Sequence, residues 1–483
     1  MVNVSAILQV TGVLLITIGG LMLFPWAYSY YHQLASSESL LISSGITVTF
    51  GVMLWLTTRN KDNRVQKREG YLIVAVGWLS MLVFSTLPYL LSGVIPTIPE
   101  AFFETVSGMT TTGATVLEDI EAVPESILLW RSMTQWIGGM GIIVLTIAIL
   151  PFLGIGGIQL FVAEMPGPVS DKIHPRIRQT ARALWIIYVS LTLILCLILN
   201  LLGMNFFDAI NHAMTTMATG GFSTKNDSIA HFQIPAIHYV IIIFMSLAGV
   251  NYTVIYFLVR FRFRKVWSNE EFRGYLLIIV GLIVVASVVV NQISSHPLER
   301  NFREAAFQVV SIVTTTGYVI ADYTAWTNGL TAFFFVLMFA GASAGSTAGG
   351  IKLIRHIVFF KNSILEFKRL LHPKAMIRLK LNNKVIPARI LTHILVFLLI
   401  YMGVFVVGTI VVTALGMDML SAAGAVATSL GNVGPGIGSV GPMENFAHLS
   451  APIKWVLASV MLLGRLELFT ILILFTPYFW KTS

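Results

Sequence analysis

The stretch Ala101-Phe-Phe-Glu-Thr-Val-Ser-Gly-Met-Thr-Thr-Thr-Gly113 returns further along the chain as Ala305-Ala-Phe-Gln-Val-Val-Ser-Ile-Val-Thr-Thr-Thr-Gly317. Aligned without gaps, the two share Ala101/Ala305, Phe103/Phe307, Val106/Val310, Ser107/Ser311 and the complete Thr-Thr-Thr-Gly end. Two other stretches have the same shape: Asn211-His-Ala-Met-Thr-Thr-Met-Ala-Thr-Gly220-Gly221, and the more diverged Ala423-Gly-Ala-Val-Ala-Thr-Ser-Leu-Gly431-Asn432. Each is half apolar, shorter than the roughly 20 residues a membrane span needs, and ends in small and polar residues around glycine. Gly113, Gly220, Gly317 and Gly431 lie 107, 97 and 114 residues apart. Recurrence at that interval marks a repeated unit.

Composition says where the repeat lives. Of 483 residues, 56% are hydrophobic and 11% charged, against about 25% charged in an ordinary soluble domain. That excludes a soluble enzyme and points to an all-α polytopic membrane protein in the lipid bilayer. Long apolar runs at 6–28, 39–58, 70–94, 127–150, 183–204, 234–258, 274–293, 330–360, 386–415 and 453–479 predict about ten transmembrane helices. The chain divides into 1–69, two extra N-terminal helices, and four span–pore-loop–span repeats at 70–163, 164–273, 274–385 and 386–483. The repeats are expected to surround a pseudo-fourfold pore. Of the 31 Lys and Arg, 25 fall in segments 58–69, 164–182, 260–273, 352–389 and at Lys481, all on one side of that topology. The positive-inside rule makes that side, and both termini, cytoplasmic. The net charge of +9 therefore reads as loop topology and not as nucleic-acid binding. A basic loop is usually a topology signal alone; segment 352–389, ten cations against Glu366, is the best candidate for the other reading, docking of a partner. The single cysteine, Cys196 in Leu195-Cys196-Leu197, allows no disulfide within the chain and reads as a core residue.

Non-helical backbone at membrane depth is tolerated only where it lines a cavity or is buried in protein. Four such segments about an axis would put backbone carbonyls in a ring, and a carbonyl ring replaces the hydration shell of an alkali cation. Threonine before the turn adds a hydroxyl, glycine reaches dihedrals other residues avoid, and each preceding half-helix points its partly negative C-terminal end at the ring. A membrane enzyme would need a convergent acid–base or nucleophile cluster. His212, His231 and His238 lack the spacing of metal ligands. A secondary carrier of another cation or a larger solute is the alternative, although such carriers typically show inverted repeats and these run parallel.

Thr-Thr-Thr-Gly113-Ala114, Ala-Thr-Gly220-Gly-Phe222, Thr-Thr-Thr-Gly317-Tyr318 and Ser-Leu-Gly431-Asn-Val-Gly434 resemble the pore loops of the Trk/Ktr/HKT potassium transporter superfamily. Length and the extra N-terminal pair are similar to its TrkH/TrkG type. The resemblance covers essentially the whole chain. It implies a potassium filter at Thr111, Thr112, Gly113, Ala218, Thr219, Gly220, Thr315, Thr316, Gly317, Leu430, Gly431 and Asn432. Glycine at all four turn positions resembles the potassium-selective pattern, and Leu430 leaves the fourth loop without a threonine hydroxyl. The resemblance also implies K+ as the transported ion with no organic cofactor, a homodimer in a bacterial inner membrane, and a cytosolic TrkA-like nucleotide-binding ring as partner.

Two elements read as gates. Gly341-Ala-Ser-Ala-Gly345-Ser-Thr-Ala-Gly349-Gly350 opposes a continuous helix, and family members have an intramembrane gating loop here; close helix packing through small residues is the other reading. Lys352 follows it directly. Arg465, deep in the last span, is the second: an ionisable residue at that depth is functional by default. It acts as an electrostatic plug or as the structural partner of Glu467.

Overall fold

The computed structural model describes residues 2–59, 67–149 and 177–481. Lys61, Arg64, Lys172, Arg176 and the expected repeat boundary at 163/164 lie outside the described residues. Six helices are long and apolar enough to cross a membrane: Val4–Tyr31, Ser37–Thr58, Arg68–Leu91, Gln179–Leu201, Glu270–Ile293 and Ala388–Ala414. Two more spans are broken pairs, Pro235–Ala248 with Tyr252–Val259 bent by 108° and Ala451–Arg465 with Phe469–Phe475 bent by 106°. Glu125–Ile149 and the split pair Asn328–Leu337 and Leu353–Leu371, separated by irregular backbone, occupy the other two expected apolar runs and lie outside those eight candidate spans among the described residues.

Four short helices lie between the spans: Ile98–Met109, Phe206–Met217, Leu298–Val313 and Met419–Gly431, here the first to fourth pore helices. Their N-termini are fixed by local chemistry. Asn205 and Asp418 accept from the amides of Asp208 and Ser421 as side-chain caps. Proline in the first turn starts the first pore helix, and Pro297 precedes the third. These helices carry buried polar residues such as Thr105, Ser107, Thr215, Gln308, Ser311 and Thr428, so they are surrounded by protein and not by lipid. Outer helices are exposed along Leu277, Val280, Val284 and Val288 or Leu399, Val406 and Ile410, as lipid-facing surfaces are. Each repeat is therefore an outer helix, a pore helix, an extended turn and an inner helix. Among the described residues, inner helices of the second, third and fourth repeats break, at 249–251, 338–352 and 466–468.

The described interior forms two large apolar clusters. One joins the N-terminal pair with repeats 1 and 4 through residues such as Leu14, Trp78, Phe103, Trp130, Val426 and Leu457. The other joins repeats 2 and 3 through Tyr188, Ile241, Phe307, Tyr318 and Phe334. A smaller satellite gathers Val358, Leu379, Leu381 and Ile386 around the two-stranded hairpin Lys380–Leu381 and Lys384–Val385. The third and fourth outer helices begin at Glu270 and Ala388.

The first two spans meet backbone to backbone. A Cβ on Gly12 would lie 2.7 Å from the Gly51 carbonyl oxygen, and one on Gly51 would lie 2.8 Å from that of Gly12. Small residues give lipid-embedded helices this close approach. Gly51→Leu should force the pair apart, cost about 1–3 kcal/mol as overpacking does, and lower the melting temperature of the detergent-solubilised protein. An unchanged melting temperature would show that the pair does not need this contact.

Candidate ion-conduction site

All four pore helices end in the same way. Thr111 and Thr112 donate their amides to Gly108 O at 2.9 Å and Ser107 O at 2.8 Å. Thr219 and Gly220 donate to Thr216 O at 3.0 Å and Thr215 O at 2.9 Å, and Thr315 and Thr316 to Ile312 O at 2.9 Å and Ser311 O at 2.8 Å. Asn432 and Val433 donate to Ser429 O at 3.3 Å and Thr428 O at 2.9 Å. This bond pair is a Schellman end, which requires one left-handed residue. That residue is Thr111, Thr219, Thr315 or Asn432, with φ of 55°, 53°, 53° and 52°. Asparagine visits this region readily, whereas a side chain with a Cβ branch pays about 1–2 kcal/mol and persists only where its surroundings hold it.

Two residues on, the backbone turns again at Gly113, Gly221, Gly317 and Gly434, with φ of 85°, 77°, 79° and 109°. These four glycines close a ring. A Cβ on Gly113 would overlap Gly220 O, one on Gly221 would overlap Thr316 O, one on Gly317 would overlap Val433 O, and one on Gly434 would lie 2.7 Å from Thr112 O. Each glycine thus abuts the carbonyl that precedes the equivalent glycine in the next repeat, and the fourth repeat returns to the first. The four oxygens, of Thr112, Gly220, Thr316 and Val433, stand at equivalent places around one axis. Gly220 O also accepts Gln135 Nε2 at 2.6 Å, so part of its capacity is already used.

Buried polar contacts brace the ring at every seam. Arg131 Nε meets Glu104 Oε1 at 2.6 Å with both side chains almost fully buried. Glu104 also accepts from Thr115 Oγ1 and from Val116 N at 2.9 Å, while Arg131 Nη1 donates to Ser223 O at 2.9 Å. This pair ties the chain after the first turn to the chain after the second. Tyr318 Oη meets Thr215 Oγ1 at 2.5 Å, Tyr323 Oη donates to Gly436 O at 2.6 Å, and Asn432 Nδ2 donates to Thr112 Oγ1 at 3.0 Å.

Beneath the ring lies the break in the third inner helix. Ser343 N donates to Gly249 O and Tyr252 N to Gly345 O, each at 3.0 Å. Thr347 Oγ1 donates to Met217 O at 3.1 Å, at the end of the second pore helix, and Gly349 N donates to Thr315 Oγ1 at 2.7 Å. Gly341 and Ile351 close the loop's neck through a 2.9 Å amide–carbonyl bond. Arg465, partly exposed, donates to Thr347 O at 2.9 Å, Gly138 O at 2.5 Å and Gly139 O at 3.0 Å. Its guanidinium therefore clasps the loop to the first and fourth inner helices. Lys352 Nζ bonds Ala348 O, closing the loop at its C-terminal end.

Residues 36–481 match the TrkH family, described as cation transport proteins. The chain is 42% identical to the Trk system potassium uptake protein TrkH of Escherichia coli (strain K12), over 99% of each chain. It is 34% identical to that organism's Trk system potassium uptake protein TrkG, over 95% of each. The crystal structure of the potassium transporter TrkH from Vibrio parahaemolyticus superposes with a TM-score of 0.88 at 36% identity, covering 99% of this chain and 100% of that one. The chain belongs to the TrkH family. It is a membrane transport protein and not an enzyme.

Within this TrkH-type frame, the backbone shifts two of the register assignments made from sequence. Matching glycines by sequence aligned Gly113, Gly220, Gly317 and Gly431. The left-handed turns instead make Gly113, Gly221, Gly317 and Gly434 equivalent, which moves the second loop by one residue and the fourth by three. Ala218 and Leu430 fall at or before the helix ends; both are fully buried. Gly431 is the last residue of its helix and Asn432 occupies the place of Thr111. Glu467 pairs with Arg355, while the contacts of Arg465 given above run to backbone carbonyls. Glu104, Arg131, Gln135, Gly221, Val433 and Gly434 were missed. The register is set by the helix end, one left-handed residue and then glycine two positions on, which the backbone and not the residue order displays.

The register has a direct test. A Cβ on Gly220 meets only the Gln135 side chain, whereas one on Gly221 meets the Thr316 backbone. Gly220→Ala should therefore regain folded yield when combined with Gln135→Ala, and Gly221→Ala should not. Rescue of Gly221→Ala by Gln135→Ala would return the turn to Gly220.

Proposed function

We propose that the chain is the potassium-conducting subunit of a Trk system. The observation that carries the reading is the closed ring in which each glycine fits against the carbonyl of the next repeat. Such a ring offers several carbonyl dipoles to an ion that has shed its water, as in carbonyl-lined filters generally. The pore helices add the partial negative charge of their C-terminal ends. Relatives named as potassium uptake proteins across nearly the full length support K+ as the transported ion.

Loop 338–352, with Gly341, Gly345, Gly349 and Gly350, is the gate in this reading, since it lies under the ring and is held by contacts from three repeats. Arg465 and Lys352 put positive charge at the same level. At 4 Å and an effective dielectric near 20, one such charge opposes a monovalent cation by about 4 kcal/mol, roughly a thousandfold in occupancy. The basic segment 352–389 faces the cytoplasm with both termini, in a bacterial inner membrane, and receives a cytosolic TrkA-like ring; two copies of the chain form the dimer. The divisions at 69/70, 163/164, 273/274 and 385/386 mark the functional repeats.

Reconstituted into liposomes, the protein should take up rubidium or potassium with no other solute present and should admit sodium less well. Uptake that requires a second organic solute, or equal sodium and potassium permeability, would contradict the reading. Arg465→Ala should raise potassium flux at least tenfold while the ratio of potassium to sodium stays as it was, and Arg465→Lys should retain most of the block. A loss of flux in well-folded Arg465→Ala protein would make the residue scaffold.

A further inference from the structure

The four left-handed residues at the ends of the pore helices have equivalent backbones and different side-chain partners. Thr111 Oγ1 is buried with no hydrogen-bond partner. Thr219 Oγ1 turns back to its neighbour, Ala218 O, at 2.6 Å. Asn432 Nδ2 spans from Thr112 Oγ1 to Met461 O, at 3.0 and 2.9 Å. Thr315 Oγ1 alone of the four accepts from the loop below, from Gly349 N at 2.7 Å. The loop residue is glycine where the approach is closest: a Cβ on Gly349 would lie 2.8 Å from Asn432 Cβ and 2.5 Å from Gly431 O. Gly349 is thus seated in the underside of the third and fourth turns, with its amide aimed at one hydroxyl.

We propose that Thr315 latches loop 338–352 to the ring, so that the state of the gate is transmitted to the third turn. The inference rests on the conduction pathway argued above and adds to it a named positioning residue. With the loop in place, the Gly349 amide occupies the hydroxyl of a threonine held in a left-handed backbone. When the loop withdraws, that amide and that hydroxyl both lose their partner, and the third turn loses its support from below. The coupling is asymmetric by construction, because the equivalent side chains on the other repeats bond elsewhere or not at all.

Full-length protein in nanodiscs allows the latch to be read without reference to conduction. Thr315→Val removes the hydroxyl at constant shape and should speed hydrogen–deuterium exchange in the segment containing Gly349 by about fivefold, the effect of one ordinary hydrogen bond. Thr315→Ser keeps the hydroxyl and should exchange as the unaltered chain does. Thr315→Ala, which deletes the hydroxyl and relieves the branched side chain, serves if the valine variant folds poorly. In planar bilayers the same two deletions should raise open probability by a similar factor, with a smaller rise for Thr111→Val, whose buried hydroxyl has no hydrogen-bond partner to lose. Unchanged exchange at Gly349 in Thr315→Val and Thr315→Ala, or an equal acceleration in Thr111→Val, would overturn the latch. Absence of potassium current in the unaltered chain would overturn the function reading instead, and the exchange experiment would still decide the latch.

Discussion

The structure depends on four places where a backbone carbonyl from one repeat fills the space a Cβ would need on the next. Gly113, Gly221, Gly317 and Gly434 serve that close approach and a left-handed turn at once, so two constraints meet on each residue. Because the contacts run from repeat to repeat in a cycle, no single loop can relax without moving its neighbour. The rest of the fold supports this arrangement. Pore helices start at a side-chain cap or a proline and finish in a Schellman turn, inner helices of the last three repeats bend away below, and the buried Glu104–Arg131 pair locks the first two turns together. Breaking a buried pair by removing one partner typically costs about 3–5 kcal/mol, so the bracing is strong even where net stabilisation is modest.

Fourfold similarity ends just beneath the ring. Repeat 3 supplies the irregular loop, repeat 4 the Arg465 clasp, repeat 2 the carbonyls of Met217 and Ala248 that receive Thr347 Oγ1, and repeat 1 the carbonyls of Gly138 and Gly139. A ring built alike in the four repeats is thus paired with an irregular loop held by unlike contacts from the other repeats. Duplicated units can keep one backbone geometry while diverging directly beside it.

Much of this was legible in the residues. Thr-Thr-Thr-Gly113 and Thr-Thr-Thr-Gly317 are near-identical because the same turn is built twice, and apolar runs of span length separate the units. The break in the third inner helix was visible as a helix that Gly341, Gly345, Gly349 and Gly350 cannot sustain. What sequence could not supply was register in the diverged loops. In Gly220-Gly221 and in Gly431-Asn-Val-Gly434 several glycines compete, and only the backbone shows which of them carries the positive φ next to a neighbouring carbonyl. Long-range partners were hidden for a related reason. Glu104 in the first repeated stretch and Arg131 in the following apolar run are 27 residues apart until folding places them 2.6 Å from each other, and Glu467 lies near Arg465 in sequence while its partner is Arg355.

The central claim is that the oxygens of Thr112, Gly220, Thr316 and Val433 face a common ion. Anomalous scattering from crystals grown in rubidium or thallium tests it most directly. The account predicts a peak on the pseudo-fourfold axis within coordination distance of those four oxygens, weakest on the side of Gly220, whose oxygen Gln135 already engages. A protein that conducts these ions but concentrates them at another level, or off the axis beside a single repeat, would contradict it.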